Sequence, residues 1–94
     1  MEELRYLGST YFHADYDLEA SAPIEVVRKF RASEGEGTIS GLRREIVGLL
    51  AQMSDDAVLD AAWLTAAGAA YDPRRDGVTT RDWLESILSV LDGR

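Results

Sequence analysis

The chain has 94 residues, with seventeen acidic and ten basic side chains and a net charge of −7. Hydrophobic residues make up 46% and charged residues 29%, which is typical of a folded globular protein, so we expect one domain over residues 1–94. The acidic excess argues against nucleic-acid binding and against docking on an anionic membrane, because both need a basic surface. It favours a basic protein partner.

The chain contains no cysteine, which excludes disulfide scaffolds, zinc–thiolate sites and cysteine catalysis. The first five residues are not typical of a secretory signal. No apolar run approaches the roughly 20 residues of a membrane span. We therefore expect a cytoplasmic protein.

Apolar residues recur about every 3.6 positions, which predicts helices rather than strands. The first helix is expected over roughly residues 3–12, with Gly8 allowing a close approach. Residues 13–19 alternate in polarity and could be extended. A second helix is expected from Pro23, whose missing N–H costs nothing at the first helical position, to about Ala32.

A loop is predicted over residues 33–37, and Thr38 is a candidate cap for the third and longest helix. Gly41 and Gly48 lie inside that helix, where each costs about 1 kcal/mol relative to alanine, so we expect them to face close backbone contacts. Ser54 is the candidate cap of the fourth helix.

Gly68 either ends the fourth helix or lies within it, and the pattern leaves both possibilities open. A turn is predicted over residues 71–77. Thr79 and Asp82 approximate a capping box, so the last helix is expected over about residues 80–91. The elements together predict an all-α fold, a compact bundle of about five short helices.

The single histidine, His13, forms an H-x-D-x-D pattern with Asp15 and Asp17. In an extended segment these side chains would point to one side and could bind a divalent metal. The aromatic residues around them favour a different interpretation, in which the rings join the core and the polar groups hold a turn through backbone hydrogen bonds. We therefore assign no metal, no cofactor and no catalytic residue.

Residues 72–77 resemble the start of a calcium loop, with acids at its first and fifth positions and glycine at its sixth. Arg74 at the third position and Trp83 at the twelfth are incompatible with calcium ligation, so we predict a turn. The chain has no glycine-rich phosphate loop. Nothing selects one pair of carboxylates for hydrolysis among so many acids.

Acidic residues group beside tyrosines in two places, around Tyr16 and next to Tyr71. Such groups are usually solvated faces. The functional interpretation is an acidic, aromatic surface that attracts a cationic protein and blocks a basic groove built to hold phosphate.

The same segments resemble a family of small bacterial immunity proteins from contact-dependent growth inhibition systems. Tyr11–Glu19 resembles the N-terminal signature of this family, and Pro23–Val27 is similar to the helix start that follows it. Its C-terminal signature is matched by Tyr71–Pro73, Asp76–Gly77 and Arg81–Glu85. The spacing between the two signatures also fits, so the resemblance covers nearly the whole chain.

The resemblance implies a helical antitoxin that is not an enzyme and that binds the C-terminal toxin domain delivered by a neighbouring or sibling cell. Toxins of these systems are often nucleases, so we expect a basic nuclease such as an RNase, occluded by this protein. Two residues depart from the common pattern: Ala14, where a longer polar residue is expected, and Ala22, where a hydroxyl cap is usual.

Family members neutralise different toxins, so we assign the signature residues Tyr11, Phe12 and Trp83 to the core. Acids are rarely buried without a partner, and tyrosine is favoured at interface centres. The predicted toxin-binding residues are therefore Asp15, Tyr16, Asp17, Glu19, Asp72 and Asp76.

Two alternatives stay open at this point. One is an acidic adaptor domain that binds a basic cytoplasmic protein with no toxin involved. The other is a small metal-dependent hydrolase centred on His13, Asp15 and Asp17.

Overall fold

The computed structural model describes residues 1–52 and 55–93, without the side chain of Glu19. Within these ranges the chain forms six α-helices and no strand, which confirms the all-α prediction. The helices are α1 (Glu2–Tyr6), α2 (Tyr16–Glu19), α3 (Pro23–Ser33), α4 (Glu36–Gln52), α5 (Asp56–Asp60) and α6 (Thr80–Leu91). None of the helices in the described ranges is long and apolar enough to cross a membrane.

Three further helical segments, two π-helical and one 3-10, complete the described fold. Helices α1 and α5 continue directly into π-helical segments, Leu7–Tyr11 and Ala61–Ala66, and a 3-10 turn spans Pro73–Asp76. The first π-helical segment ends within one residue of the end that the sequence predicts for the first helix. The alternative that residues 13–19 are extended is wrong, because α2 lies there.

The core combines apolar side chains from α1, α3, α4, α5 and α6. The radius of gyration is 12.0 Å, close to the value of about 12 Å for a compact domain of this length. Phe12 and Trp83 are buried as predicted, whereas Tyr11 is only partly buried. The largest fully buried side chains include Leu4, Leu7, Phe12, Phe30, Leu42, Ile46, Leu59, Trp63, Leu84 and Ile87.

Helix α1 begins against α4. The carboxylate of Glu45 accepts hydrogen bonds from the backbone N–H groups of Glu3 and Leu4, both at 3.0 Å, and so satisfies two donors at the start of α1. A β-carbon built at Gly41 would lie 3.3 Å from the Glu3 side chain. The predicted close contact therefore exists at Gly41, but with a side chain rather than with backbone.

The same prediction is wrong for Gly48. Beyond its own helix backbone and chain neighbours, no described atom lies within 4 Å of the position of a β-carbon there. Gly8 shows the opposite situation, as its β-carbon would lie 2.6 Å from the Ala67 carbonyl oxygen and 2.8 Å from Ala67 Cβ. The expected close approach at Gly8 is confirmed. Here the first π-helical segment packs against Ala67, the residue that follows the second.

Two predicted helix starts differ from the observed ones. Thr38 lies inside α4, which begins at Glu36, so Thr38 does not cap that helix. Asp55 caps α5 by accepting a hydrogen bond from the Ala57 N–H at 2.9 Å. The predicted cap Ser54 lies outside the described residues.

The ends of the last two helical regions follow local backbone rules. The π-helical segment after α5 stops at Ala66, and Gly68 follows with a positive φ of 69°, a conformation that glycine adopts at little cost. Gly68 therefore lies just beyond the helix end. The Thr79 side chain accepts a hydrogen bond from the Asp82 N–H at 3.0 Å, so the predicted cap and bounds of α6 are confirmed.

Candidate functional site

An acidic pocket lies where α2 and the segment before α3 meet the 3-10 turn. Its volume is about 240 Å³. Four of the six predicted contact residues, Tyr16, Asp17, Asp72 and Asp76, line it together. Asp15 lies just before α2 and is not part of the lining, and nothing is described for the Glu19 side chain.

Helix α2 presents Tyr16 and Asp17 because the residues before it form a tight turn. The Asp15 N–H donates to Nδ1 of His13 at 3.1 Å, and the Tyr16 N–H donates to the His13 carbonyl oxygen at 3.1 Å. The prediction that polar groups hold a turn here is confirmed. The extended geometry required for an H-x-D-x-D metal site is not formed, and the described residues contain no group of three His, Asp or Glu side chains arranged around a possible ion.

The 3-10 turn is held by Asp72. Its carboxylate accepts hydrogen bonds from the Arg74 N–H at 3.0 Å and from two guanidinium nitrogens of Arg74 at 3.0 and 2.9 Å. These bonds hold the pKa of Asp72 below its ordinary value. Arg74 also approaches Asp60 at 3.4 Å, and Asp60 accepts a hydrogen bond from Thr80. The turn is thus anchored to α5 and α6, and much of the Asp72 charge is already balanced.

The charge of Asp76 is more accessible than that of Asp72. It is exposed, and the Tyr71 hydroxyl donates to its Oδ2 atom at 3.0 Å. Burial of Tyr71 together with this hydrogen bond raises the pKa of Tyr71, and the hydrogen bond orients the carboxylate. Burial raises the pKa of Tyr16, and the negative charges of Asp17 and Asp76 act in the same direction.

A cluster of five aromatic rings supports the acidic pocket from the core side. Neighbouring ring centroids are 4.9–6.0 Å apart, mostly in edge-to-face or tilted arrangements. The Trp63 indole N–H donates to the Tyr71 carbonyl oxygen at 2.8 Å. The pocket walls are therefore held by packed aromatic rings. The cluster consists of Phe12, Tyr16, Trp63, Tyr71 and Trp83.

A second, apolar pocket of about 240 Å³ adjoins the acidic pocket. The two pockets share four lining residues, Ala22, Pro23, Tyr71 and Asp76. The apolar pocket extends beyond them to Val78 and Trp83. The two pockets lie side by side, and we call them together the groove, with an acidic end and an apolar end.

Sequence reasoning missed two residues in this region. Arg75 lines the acidic pocket, so a cation stands among the acids. Leu18 is 81% exposed in α2, more than any other large hydrophobic side chain in the described ranges. Its position between Asp17 and Glu19 was the available signal, since an exposed leucine inside an acidic segment suits an interface better than a core.

The fold and the groove define a class of protein: a small, acidic, helical domain whose exposed groups suit the binding of another protein. A family model described as CdiI immunity protein matches residues 1–91, and the chain belongs to this family. CdiI immunity proteins are toxin-binding inhibitors rather than enzymes, so the prediction of a non-enzymatic chain is confirmed.

A similar fold occurs in the crystal structure of a CdiA-CT/CdiI complex from Y. kristensenii 33638. The matching chain has a TM-score of 0.89 and 23% sequence identity, and the match covers 96% of each chain. At this identity the likeness concerns the fold. Curated protein sequences gave no match.

Proposed function

We propose that this protein neutralises a basic nuclease toxin domain by binding over its active site, with the acidic pocket as the centre of contact. The observation that carries the proposal is the convergence of Tyr16 and Asp17 from α2 with Asp76 from the 3-10 turn. The proposed contact set also keeps Asp15, Glu19 and Asp72, as the sequence predicts. The protein would act as one domain over residues 1–94 and in the cytoplasm.

Electrostatic complementarity supports this partner. A nuclease active site must hold phosphate groups, so it presents cationic side chains. Carboxylates that carry the same charge as phosphate can occupy such a site, and the net charge of −7 attracts it from a distance. The fold likeness to a chain of the CdiA-CT/CdiI complex supports a toxin domain of the CdiA-CT kind as the partner.

Preorganisation also supports binding at this place. The Tyr71 hydroxyl orients Asp76, and Arg74 fixes the turn that carries it. A site that is rigid before binding loses less conformational entropy when the complex forms. The exposed Leu18 adds an apolar contact beside the acids.

Co-expression with the toxin domain encoded beside its gene tests the proposal. We expect the wild-type chain to protect cells and to co-purify with the toxin domain in a stable complex. The double variant Asp17→Lys/Asp76→Lys should lose about 1 kcal/mol of stability with the Tyr71–Asp76 hydrogen bond but still fold, and it should protect poorly. The control Glu85→Lys, at an exposed residue of α6 that lines neither pocket, should leave protection unchanged.

Assays with purified proteins test the reaction and the mode of inhibition. The toxin domain alone should cleave RNA, and an equimolar amount of this protein should stop cleavage and exclude RNA from the toxin. Cell death without a complex would refute toxin neutralisation and favour the acidic-adaptor alternative. A complex that still binds RNA would refute active-site occlusion.

A further inference from the structure

The groove has two ends of different chemistry, one acidic and one apolar. Each pocket has a volume of about 240 Å³, which is below the roughly 300–1,000 Å³ of small-molecule sites. Each is therefore better matched to one side chain of a protein than to a cofactor. Ser86 of α6 is exposed and lines the outer side of the apolar pocket.

The wall of the apolar pocket contains an unusual group. Trp83 is only 4% exposed, and its indole N–H has no hydrogen-bond acceptor among the described residues. Most buried polar groups in folded proteins have a partner, so this unpaired donor is an exception. Ile24 and Val78 line the same pocket and make it apolar.

We propose that the groove receives one segment of the toxin domain, which places an apolar side chain in the apolar pocket and an adjacent lysine or arginine against Asp17 and Asp76. This inference rests on the proposed function and adds the chemistry of the recognised segment. The apolar end contributes burial, and the acidic end selects a cation at the neighbouring position. Asp76 lines both pockets, so the apolar and cationic side chains of the bound segment would lie close together.

Charge complementarity identifies the occupant. The acidic end disfavours a second copy of this chain, because each copy carries a net charge of −7. It also disfavours a purely apolar segment, since desolvating the carboxylates without a cation is unfavourable. A toxin segment with adjacent apolar and cationic side chains satisfies both ends.

A groove-filling variant tests the site. Ser86→Trp places a large side chain at the mouth of the apolar pocket, whereas Ser89→Trp makes the same change one turn along α6, at an exposed residue that lines neither pocket. We expect Ser86→Trp to weaken binding of the toxin domain about tenfold or more, mainly through faster dissociation, and Ser89→Trp to change it less than about twofold. Both variants should retain the wild-type thermal melting curve.

The absence of cysteine allows the occupant itself to be identified. A benzophenone maleimide attached to Ser86→Cys should cross-link, on illumination, to one toxin segment that carries adjacent apolar and cationic residues. The same label on Ser89→Cys should give little of this product. Mass spectrometry of the digested product reads the segment directly.

Each failure has a distinct outcome. If the wild-type chain does not bind the toxin domain, the proposed function fails and this inference fails with it. If the wild-type chain binds but Ser86→Trp binds equally well, or the cross-linked segment lacks a cation, only the inference is overturned. A dimer of this chain that Ser86→Trp disrupts would assign the groove to a second copy and would also overturn it.

Discussion

Glu34 shows how a single carboxylate can hold two elements together. It follows the last residue of α3 and accepts hydrogen bonds from the hydroxyls of Tyr6 at 2.9 Å and Tyr11 at 2.5 Å. The Tyr11 ring also packs edge-to-face on Phe30, with centroids 5.0 Å apart. These hydrogen bonds attach the N-terminal helical region to the end of α3 through residues that line neither pocket of the groove.

Loss of the Tyr11 proton should make the free energy of unfolding depend on pH in the alkaline range. Burial and the Glu34 hydrogen bond raise the pKa of Tyr11 from 10.0 to about 12. Between these values the unfolded chain loses the phenolic proton while the folded chain keeps it, so the contribution of Tyr11 to the free energy of unfolding should be constant below pH 10 and fall from pH 10 to 12. The other three tyrosines also have raised pKa values and act in the same direction.

Urea denaturation at pH values from 8 to 12 measures this dependence. Tyr11→Phe should lower the free energy of unfolding by about 1 kcal/mol at pH 8, because one hydrogen bond is lost. The same variant should show a smaller further loss above pH 10. An identical pH dependence in the wild-type chain and Tyr11→Phe would contradict the assignment to Tyr11.

At the scale of elements, the crossing of the two π-helical regions depends on the absence of a side chain at Gly8. The Ala67 backbone occupies the space that a β-carbon would need. The Ala70 N–H then donates to the Phe12 carbonyl oxygen at 2.8 Å, which ties the N-terminal region to the segment leading to Tyr71. This crossing therefore positions two rings of the aromatic cluster beneath the groove.

Two glycine substitutions should have opposite effects on stability. Gly8→Ala should lower the free energy of unfolding by about 1–3 kcal/mol, because the added methyl group overlaps Ala67. Gly48→Ala should raise it by up to about 1 kcal/mol, because alanine favours a helix interior and the position is open. Urea denaturation of both variants gives the comparison, and a stabilised Gly8→Ala variant would show that the crossing is looser than described.

At the scale of the molecule, the proposed function predicts that charge affects toxin binding in two separable ways. The net charge of −7 should attract a basic toxin domain from a distance, whereas the groove should provide specific contacts. Asp17→Lys and Glu85→Lys each raise the net charge by two, from −7 to −5. Both residues are exposed, but only Asp17 lines the acidic pocket.

Association kinetics should separate the two contributions. Asp17→Lys should slow association with the toxin domain about tenfold at low salt, and the difference should shrink as salt screens exposed charges. Glu85→Lys should have a clearly smaller effect. Stopped-flow or surface-binding measurements across salt concentrations provide the rates, and equal effects of the two variants would mean that net charge alone governs association.

Much of the helical architecture follows from local signals in the sequence. Pro23 begins α3 and Thr79 caps α6 as predicted, because both signals act through backbone dihedral angles and hydrogen bonds within one turn. The burial of Phe12 and Trp83 follows from apolar periodicity. The signatures around Tyr16 and Tyr71 also indicated the family, because they consist of contiguous residues.

The groove itself required the tertiary structure. Periodicity shows which face of a helix is buried but not which element packs against it, so it could not bring Asp17 next to Asp76 or place Arg75 between the acids. The same limit explains Gly48. A glycine inside a helix predicts a close contact, but this one faces open space. Contacts between residues distant in the chain depend on the packing of all side chains at once, and that packing forms the groove.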